Sequence, residues 1–222
     1  MTRIGFVGGT GDLGTALSLQ LSKKHEVLLG SRSLEKARTA VELIRSEKGP
    51  RDYLEQNLKP CENAQAVDES EFVIVTVPHE NAIETVKNLT TSFKENQILI
   101  SAVAAVGRAG DEFVPDFRSG KSFAESILEI VPSSVNVAAA FQTVTAHILY
   151  GEREISADVL VTTNERETFE KVASLIRDIE GLRPLYLGTL RLSAELERLT
   201  SLLLNVGKRN KLKSPTLRIN SF

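Results

Sequence analysis

The residues most able to do chemistry lie at the N-terminal end: Gly8-Gly9-Thr10-Gly11-Asp12-Leu13-Gly14, followed by Gly30-Ser31-Arg32-Ser33. The first run can cradle a pyrophosphate on backbone N–H groups at a helix start, where the helix dipole also favours negative charge. In Gly9-x-Gly11-x-x-Gly14 one glycine permits a tight turn, one lets backbone approach the phosphates, and one lets helix and strand pack closely. Gly8-x-x-Gly11-x-x-Gly14 is an equally good register, and the spacing leaves open which glycine takes which role. Thr10 and Asp12 either cap the helix or touch phosphate.

The second run stands where nucleotide-binding folds of this kind hold the adenosine ribose. An Asp or Glu there would accept from a ribose 2′-OH and repel a 2′-phosphate. This chain has no acid at that place. Ser31 offers a hydroxyl, and Arg32 a guanidinium that can pair bidentately with phosphate. Ser33 is expected to cap the following helix. These residues point to NADP(H).

The elements that would position these groups alternate along the chain. Ile4 to Val7 is a short apolar run suited to a buried parallel strand. Leu13, Ala16, Leu17 and Leu21 continue with helical periodicity. His25 to Leu29 reads as a second strand and Leu34 to Ile44 as a second helix. A polar stretch, 45–59, is interrupted by Gly49-Pro50 and leads to a short strand near Leu58–Cys61 and a brief helix at 64–68. Phe72 to Val77 is the clearest strand, closed by Pro78. A helix over His79–Leu89 and a strand over Ile98–Ser101 follow. The pattern predicts an α/β fold, a doubly wound parallel Rossmann sheet with right-handed crossovers.

Residues 107–122 read as a loop, Ser126 to Ile130 as a helical fragment, and Val135 to Phe141 as a further strand. The stretch 142–151 is ambiguous. Strands at Asp158–Thr162 and Arg183–Leu187 flank an amphipathic helix at Glu165–Ile179. A long apolar helix, Leu190–Val206, precedes a basic tail that is expected to be solvated. The expected division is 1–141 for the nucleotide and 142–222 for a small C-terminal α/β domain ending in the long helix.

Bulk properties narrow the function. The 222 residues carry a net charge of −2, so no basic footprint for nucleic acid is present. No apolar run is long enough for a membrane span. Cys61 is the only cysteine, which excludes an intramolecular disulfide and a cysteine-built metal site. His25, His79 and His147 are scattered, and no metal site is expected. The start of the chain lacks a signal-peptide pattern, so a cytoplasmic protein is expected.

Ligands of open parallel sheets lie beyond the carboxyl ends of the strands. Val77-Pro78-His79 and Ser101-Ala102-Val103 are such ends and should line the nicotinamide end of the cofactor. Ser101, His79, Thr143 and His147 are the possible proton donors, and none has an evident orienting partner. No triad, carboxylate pair or metal cluster is visible.

With Gly181-Leu182-Arg183-Pro184-Leu185 and Leu203-Leu204-Asn205, these motifs stand in an order that resembles the coenzyme F420-dependent NADP oxidoreductases over essentially the whole length. The resemblance implies a homo-oligomer, expected as a homodimer, in which NADP and a 5-deazaflavin, or a flavin such as FMN or FAD, meet in a cleft. It implies that Gly9, Thr10, Gly11, Asp12 and Leu13 hold the pyrophosphate, and Ser31 and Arg32 the 2′-phosphate. Val77, Pro78, His79 and Ala102 would flank the nicotinamide. Thr143 and Ala146, within Gln142-Thr143-Val144-Thr145-Ala146, would lie against the deazaflavin, and Asn205 in the helix that closes the cleft. The sequence departs from the family pattern at that segment and at His79, where an aromatic is usual. Hydride transfer between two such rings requires stacking and not a protein acid or base, so no catalytic residue is assigned. Two alternatives are an NADPH-dependent reductase of a small imine or carbonyl, which needs a proton donor, and a non-catalytic NADP(H) sensor, whose nicotinamide site would be plugged by side chains.

Overall fold

A computed structural model describes residues 1–48, 52–117, 120–151 and 154–220. The nucleotide half contains β1 (Arg3–Val7), α1 (Asp12–Leu21), β2 (Glu26–Ser31), α2 (Leu34–Lys48), α3 (Asp52–Asn57), β3 (Leu58–Glu62), α4 (Asn63–Asp68), β4 (Phe72–Val75), α5 (His79–Lys87) and β5 (Ile98–Ser101). A hairpin, β6 (Gly107–Ala109) and β7 (Glu112–Val114), precedes α6 (Phe123–Leu128) and β8 (Asn136–Ala139). The remainder comprises α7 (Ala146–Tyr150), β9 (Ala157–Thr163), α8 (Arg166–Arg177), β10 (Leu182–Gly188) and α9 (Ser193–Asn210). The Gly49-Pro50 break lies outside the described residues.

Eight strands form one sheet in the order β10-β9-β8-β5-β4-β1-β2-β3. All pairings are parallel except β8 with β9, so β9 and β10 run opposite to the other six. Their apolar residues alternate between two cores, because successive side chains of a strand point to opposite faces. Ile4, Phe6, Ile74 and Ile100 join the helices α1, α2 and α8 on one face. Val73, Val75, Leu99 and Val137 join α5, α6 and α9 on the other. Burial of each such side chain contributes about 1.5–3 kcal/mol. Both cores continue into β9, through Val159 and Leu160 respectively, so residues beyond 141 extend the same sheet.

Four features differ from expectation, the first being that the sheet is mixed and not wholly parallel, since β9 enters antiparallel to β8. β4 ends at Val75 and not at Val77: the Thr76 amide makes the last ladder bond to Val7 O at 3.0 Å, and its hydroxyl reaches Val7 O and Gly8 O at 3.3 and 3.2 Å as the chain leaves the sheet for the turn before α5. The stretch 107–122 is not only loop, since β6 and β7 pair within it. This hairpin is held from outside: Asn205 Oδ1 accepts from Phe113 N–H at 3.0 Å and its Nδ2 donates to Phe113 O at 2.6 Å. The basic tail is not a free charge run. Lys208 pairs with Asp111, Arg209 with Glu112 at 3.1 Å, and Arg218 with Asp158 at 3.1 Å.

Glu197, Ser201, Asn205 and Lys208 recur every three or four residues and form one polar stripe along α9. Glu197 accepts from the N–H groups of Phe123 and Ala124 at 3.1 and 3.2 Å. Ser201 donates to Ala105 O at 3.5 Å and Lys208 to Asp111 O at 2.8 Å. The long helix is thereby fastened to the backbone that follows β5.

Candidate functional site

A cavity of about 600 Å³ opens at the carboxyl ends of β1, β2, β4 and β5. Its floor is the turn between β1 and α1. Gly8 takes a left-handed conformation, φ +73°, and a Cβ there would fall 2.3 Å from Val77 Cγ1. Gly9 N–H donates to Gly30 O at 2.8 Å, tying the turn to β2. A Cβ on Gly14 would meet Gly9 O at 2.6 Å, so Gly14 is the residue that lets α1 lie against the turn. The structure thus assigns the tight turn to Gly8 and the close packing to Gly14.

Gly11 is the N-cap of α1, and no side chain caps this helix. Asp12 is exposed at its first position, which corrects the capping reading for both Asp12 and Thr10. The helix N-terminus with its dipole therefore faces the cavity with only backbone donors, as an anion site requires. Thr10, Gly11 and Asp12 line the cavity. Gly9 lies buried beneath it, and Leu13 packs partly buried against the core.

Ser31, Arg32 and Ser33 line the adenosine end. Ser31 is buried, and its Oγ accepts from Ser33 N–H at 3.4 Å. Ser33 directly precedes α2, and its carbonyl accepts from Ala37 N–H at 3.2 Å, which places Ser33 at the cap position. Arg32 is exposed and has no carboxylate partner among the described residues. Lys36 stands beside it on the first turn of α2 and also lines the cavity. Sequence reasoning missed Lys36. The available signal was its position, because a cation in a first helical turn opposes the dipole unless an anion offsets it.

At the other end Val77, Pro78, His79, Ala102, Val103 and Ala104 line the wall, and the cavity stays open between them. This is the reverse of the plugged site that a sensor would show. His79 does have an orienting partner, contrary to expectation: its Nε2 lies 3.1 Å from Asp116 Oδ2. Its Nδ1 is 3.4 Å from Glu80 Oε2, and its ring meets the Phe123 ring edge-on at 5.9 Å between centroids. Asp116 was not foreseen, because it belongs to the segment read as a plain loop.

The residues assigned to the second ring stand apart from this cavity. Thr143 is buried, Ala146 begins α7 and packs on the core, and Asn205 spends its amide on Phe113. Ser101 is fully buried, with its carbonyl accepting from Gln142 Nε2 at 2.8 Å. His147 lines a different cavity, with Lys213 and Thr216. Of the four possible proton donors only His79 reaches the nucleotide cavity.

Two buried titratable groups have shifted values. Burial pushes the Cys61 thiol up to about 12, so it is inert as a nucleophile. Burial raises Glu197 to about 8 against the opposing pull of two backbone N–H groups. No group of His, Cys, Asp and Glu that could hold a metal is present among the described residues. No helix among them is long and apolar enough to cross a membrane.

Residues 3–105 match the family model for coenzyme F420-dependent NADP oxidoreductase. Every residue lining the cavity falls within that stretch. The chain is 31% identical to the F420-dependent NADP reductase of Methanocaldococcus jannaschii over 226 residues, covering 99% of each. It belongs to the F420-dependent NADP reductase family. A second F420-dependent NADP reductase, from Methanothermobacter marburgensis, is 29% identical with 99% of each chain covered. Among solved structures, a protein from Arthrobacter sp. FB24 superposes with a TM-score of 0.81 over 100% of both chains at 17% identity. A protein from Sinorhizobium meliloti superposes with 0.70 over 89% of this chain and 90% of the other at 22% identity. These two likenesses concern the fold alone. The His79–Asp116 contact is read from this chain's own geometry.

Proposed function

We propose that this protein transfers a hydride between NADP(H) and the 5-deazaflavin coenzyme F420. The observation that carries the reading is the single cavity joining an uncapped helix N-terminus to Ser31, Arg32 and Lys36 at one end and to an open wall of small residues at the other. The fit to NADP is chemical: backbone donors for a pyrophosphate and two cations with a hydroxyl for a third phosphate.

When bound, the two cofactors supply the hydride donor and acceptor carbons, and the protein contributes binding and orientation. Thr10, Gly11 and Asp12 would hold the diphosphate at the helix start, on a turn shaped by Gly8 and Gly9. Ser31, Arg32 and Lys36 would fix the adenosine end, and the nicotinamide end would then face the wall of Val77, Pro78, His79, Ala102, Val103 and Ala104. The short side chains of Ala102 and Ala104 leave room for a second ring. Accurate positioning is worth several kcal/mol of barrier in such reactions. Within this reading 1–141 binds the nucleotide and 142–222 forms the other side of the cleft, where Thr143, Ala146 and Asn205, which do not line the nucleotide cavity, act as supports rather than as contacts.

The assignment extends to a soluble, cytoplasmic enzyme that binds no nucleic acid and works as a homodimer. Support for a dimer comes from α9, where Leu202 and Val206 are exposed, and from an adjoining apolar groove that includes Leu199 and Leu187.

One observation favours a second reading. The contact of His79 Nε2 with the Asp116 carboxylate orients the ring as a proton donor needs, which suits reduction of a small imine or carbonyl by NADPH. Purified protein is mixed with NADPH and, separately, oxidised F420, FMN or pyrroline-5-carboxylate, and nicotinamide absorbance is followed. Turnover with F420 is expected. Turnover confined to the imine would replace the reading with the second one.

A further inference from the structure

Asn63 is a residue that no motif singled out, yet it stands at the junction of two cavities. It lines the nucleotide cavity and also a smaller one of about 240 Å³ bounded by Thr85, Asn88 and Leu89. Ser31, Arg32 and Thr85 border both cavities as well. Asn63 itself is only 6% exposed.

Its position follows from the sheet beneath it. α4 lies against β1 and β2 because Gly5 and Gly30 present no side chain. A Cβ on Gly5 would fall 2.0 Å from Ala66 O, and one on Gly30 would fall 2.9 Å from Ala66 Cβ and 3.0 Å from Asn63 Oδ1. This descent lets the first residue of α4 reach the phosphate turn. Asn63 Oδ1 accepts from Gly8 N–H at 3.1 Å, so the carboxamide fixes the residue with left-handed backbone.

A carboxamide has an acceptor and two N–H donors. The acceptor is used by Gly8. Nδ2 has no hydrogen-bond partner among the described residues. The side chain is largely buried, but Nδ2 reaches the cavity, where a ligand or water can meet it. Here the free donor stands beside Ser31 and Arg32 in a cavity read as the seat of an anionic nucleotide.

We propose that Asn63 is a binding residue for the adenosine half of NADP(H), donating from Nδ2 to that half while Oδ1 holds the Gly8 turn. The inference rests on the placement of NADP in this cavity and deepens it. One carboxamide then couples the shape of the phosphate turn to occupancy of the adenosine end.

The test uses the full chain and 2′-phospho-ADP-ribose, which has the adenosine half and no nicotinamide. Asn63→Ala removes both functions. Asn63→Asp keeps an oxygen for Gly8 N–H and removes the donor. Both variants are expected to weaken 2′-phospho-ADP-ribose by at least ~10-fold in calorimetry. In turnover they should raise KM for NADPH with kcat held within about twofold, the signature of lost uniform binding. Full recovery of binding in Asn63→Asp would reduce Asn63 to a support of the turn and overturn the proposal. A carboxylate near phosphates also repels, so a second measurement is made on the unsubstituted chain. In ¹⁵N-labelled protein the side-chain amide protons of Asn63 should move downfield as the ligand saturates, and amide protons that stay in place would overturn the proposal. Arg32→Ala, titrated in parallel, separates the two levels. Wild-type affinity in that variant would remove the nucleotide from this cavity, whereas weakened Arg32→Ala with unaffected Asn63 variants would refute only the role of Asn63.

Discussion

His79 Nε2 lies 3.1 Å from Asp116 Oδ2, a contact that ties the start of α5 to the segment leaving β7. Its partners come from separate parts of the chain, because Phe123 of α6 packs against the same ring. A cavity wall is thus fixed by residues far apart in sequence. His79→Phe separates the two functional readings. An aromatic ring keeps the packing on Phe123 and loses the link to Asp116. Hydride transfer to F420 should stay within about tenfold, since that chemistry asks no proton of the wall. Imine reduction, if it were the activity, should fall ~10²–10⁴-fold, the usual contribution of a general acid. Steady-state turnover with each acceptor reads the difference.

Arg32→Ala and Lys36→Ala should each weaken NADPH by roughly 10–100-fold, the worth of a charge-assisted hydrogen bond to phosphate. NADH should be affected by less than about twofold, because it lacks the anion that these cations meet. Titration of each reduced nucleotide by its own fluorescence is the measurement. Equal losses for both nucleotides would remove these side chains from phosphate recognition.

Gly8→Ala should abolish nucleotide binding and lower the melting temperature. The added carbon would fall 2.3 Å from Val77 Cγ1, and φ +73° is strained for any residue with a side chain. Strain of this kind costs on the order of 1–3 kcal/mol. Gly8→Ala combined with Val77→Ala removes the clash and leaves the backbone strain, so thermal unfolding of the double variant should recover only in part.

Much of this site is legible from local sequence. The glycine run, Ser31-Arg32 and Val77-Pro78 each depend on neighbours in the chain, and all border or underlie one cavity. Lys36 could have been read from its first-turn position. Asp116 and Asn63 could not, because each acts through a partner 37 or 55 residues away. The same limit explains the hairpin. Strands of three residues have little pairing signal of their own, and β7 is held by Asn205, 92 residues beyond Phe113. The antiparallel entry of β9 was equally hidden, since a fully buried apolar strand reads alike in either direction.

Glu197 gives a pH dependence whose sign is fixed. Its carboxyl is raised to about 8 in the folded protein, against about 4.3 when unfolded. The folded state therefore binds the extra proton between these values, and stability falls as pH rises through that window. Glu197→Gln cannot ionise and keeps an oxygen for only one of the Phe123 and Ala124 amides, a loss that does not vary with pH. Relative to wild type it should gain stability as pH is raised from about 5 to 8, measured by urea unfolding at a series of pH values. A constant difference across that range would refute the assignment.

Asp158 has the opposite sign. Its hydrogen bonds from Arg183 at 2.7 and 2.8 Å hold the carboxyl below its usual range, with Ile219 N–H and Arg218 adding to the effect. The stabilisation is present above the unfolded value, near ~3.9, and is lost as pH falls through the lower folded one. Asp158→Ala should cost about 1–3 kcal/mol at neutral pH, because it leaves Ile219 N–H without its acceptor while Arg183 and Arg218 are exposed enough to be solvated. That cost should shrink in acid, as read from the pH dependence of chemical denaturation.

The polar stripe of α9 bears on how such enzymes can be recombined. Glu197, Ser201, Asn205 and Lys208 grip main-chain atoms of residues 105–124, which lead directly away from the nucleotide cavity. A chimera that exchanged only the last helix would inherit grips without the backbone cut to fit them. The natural unit of a graft is α9 together with its cognate hairpin and the start of α6, so altered acceptor preference would have to travel with a segment that begins at Gly107, far earlier in the chain than Ser193.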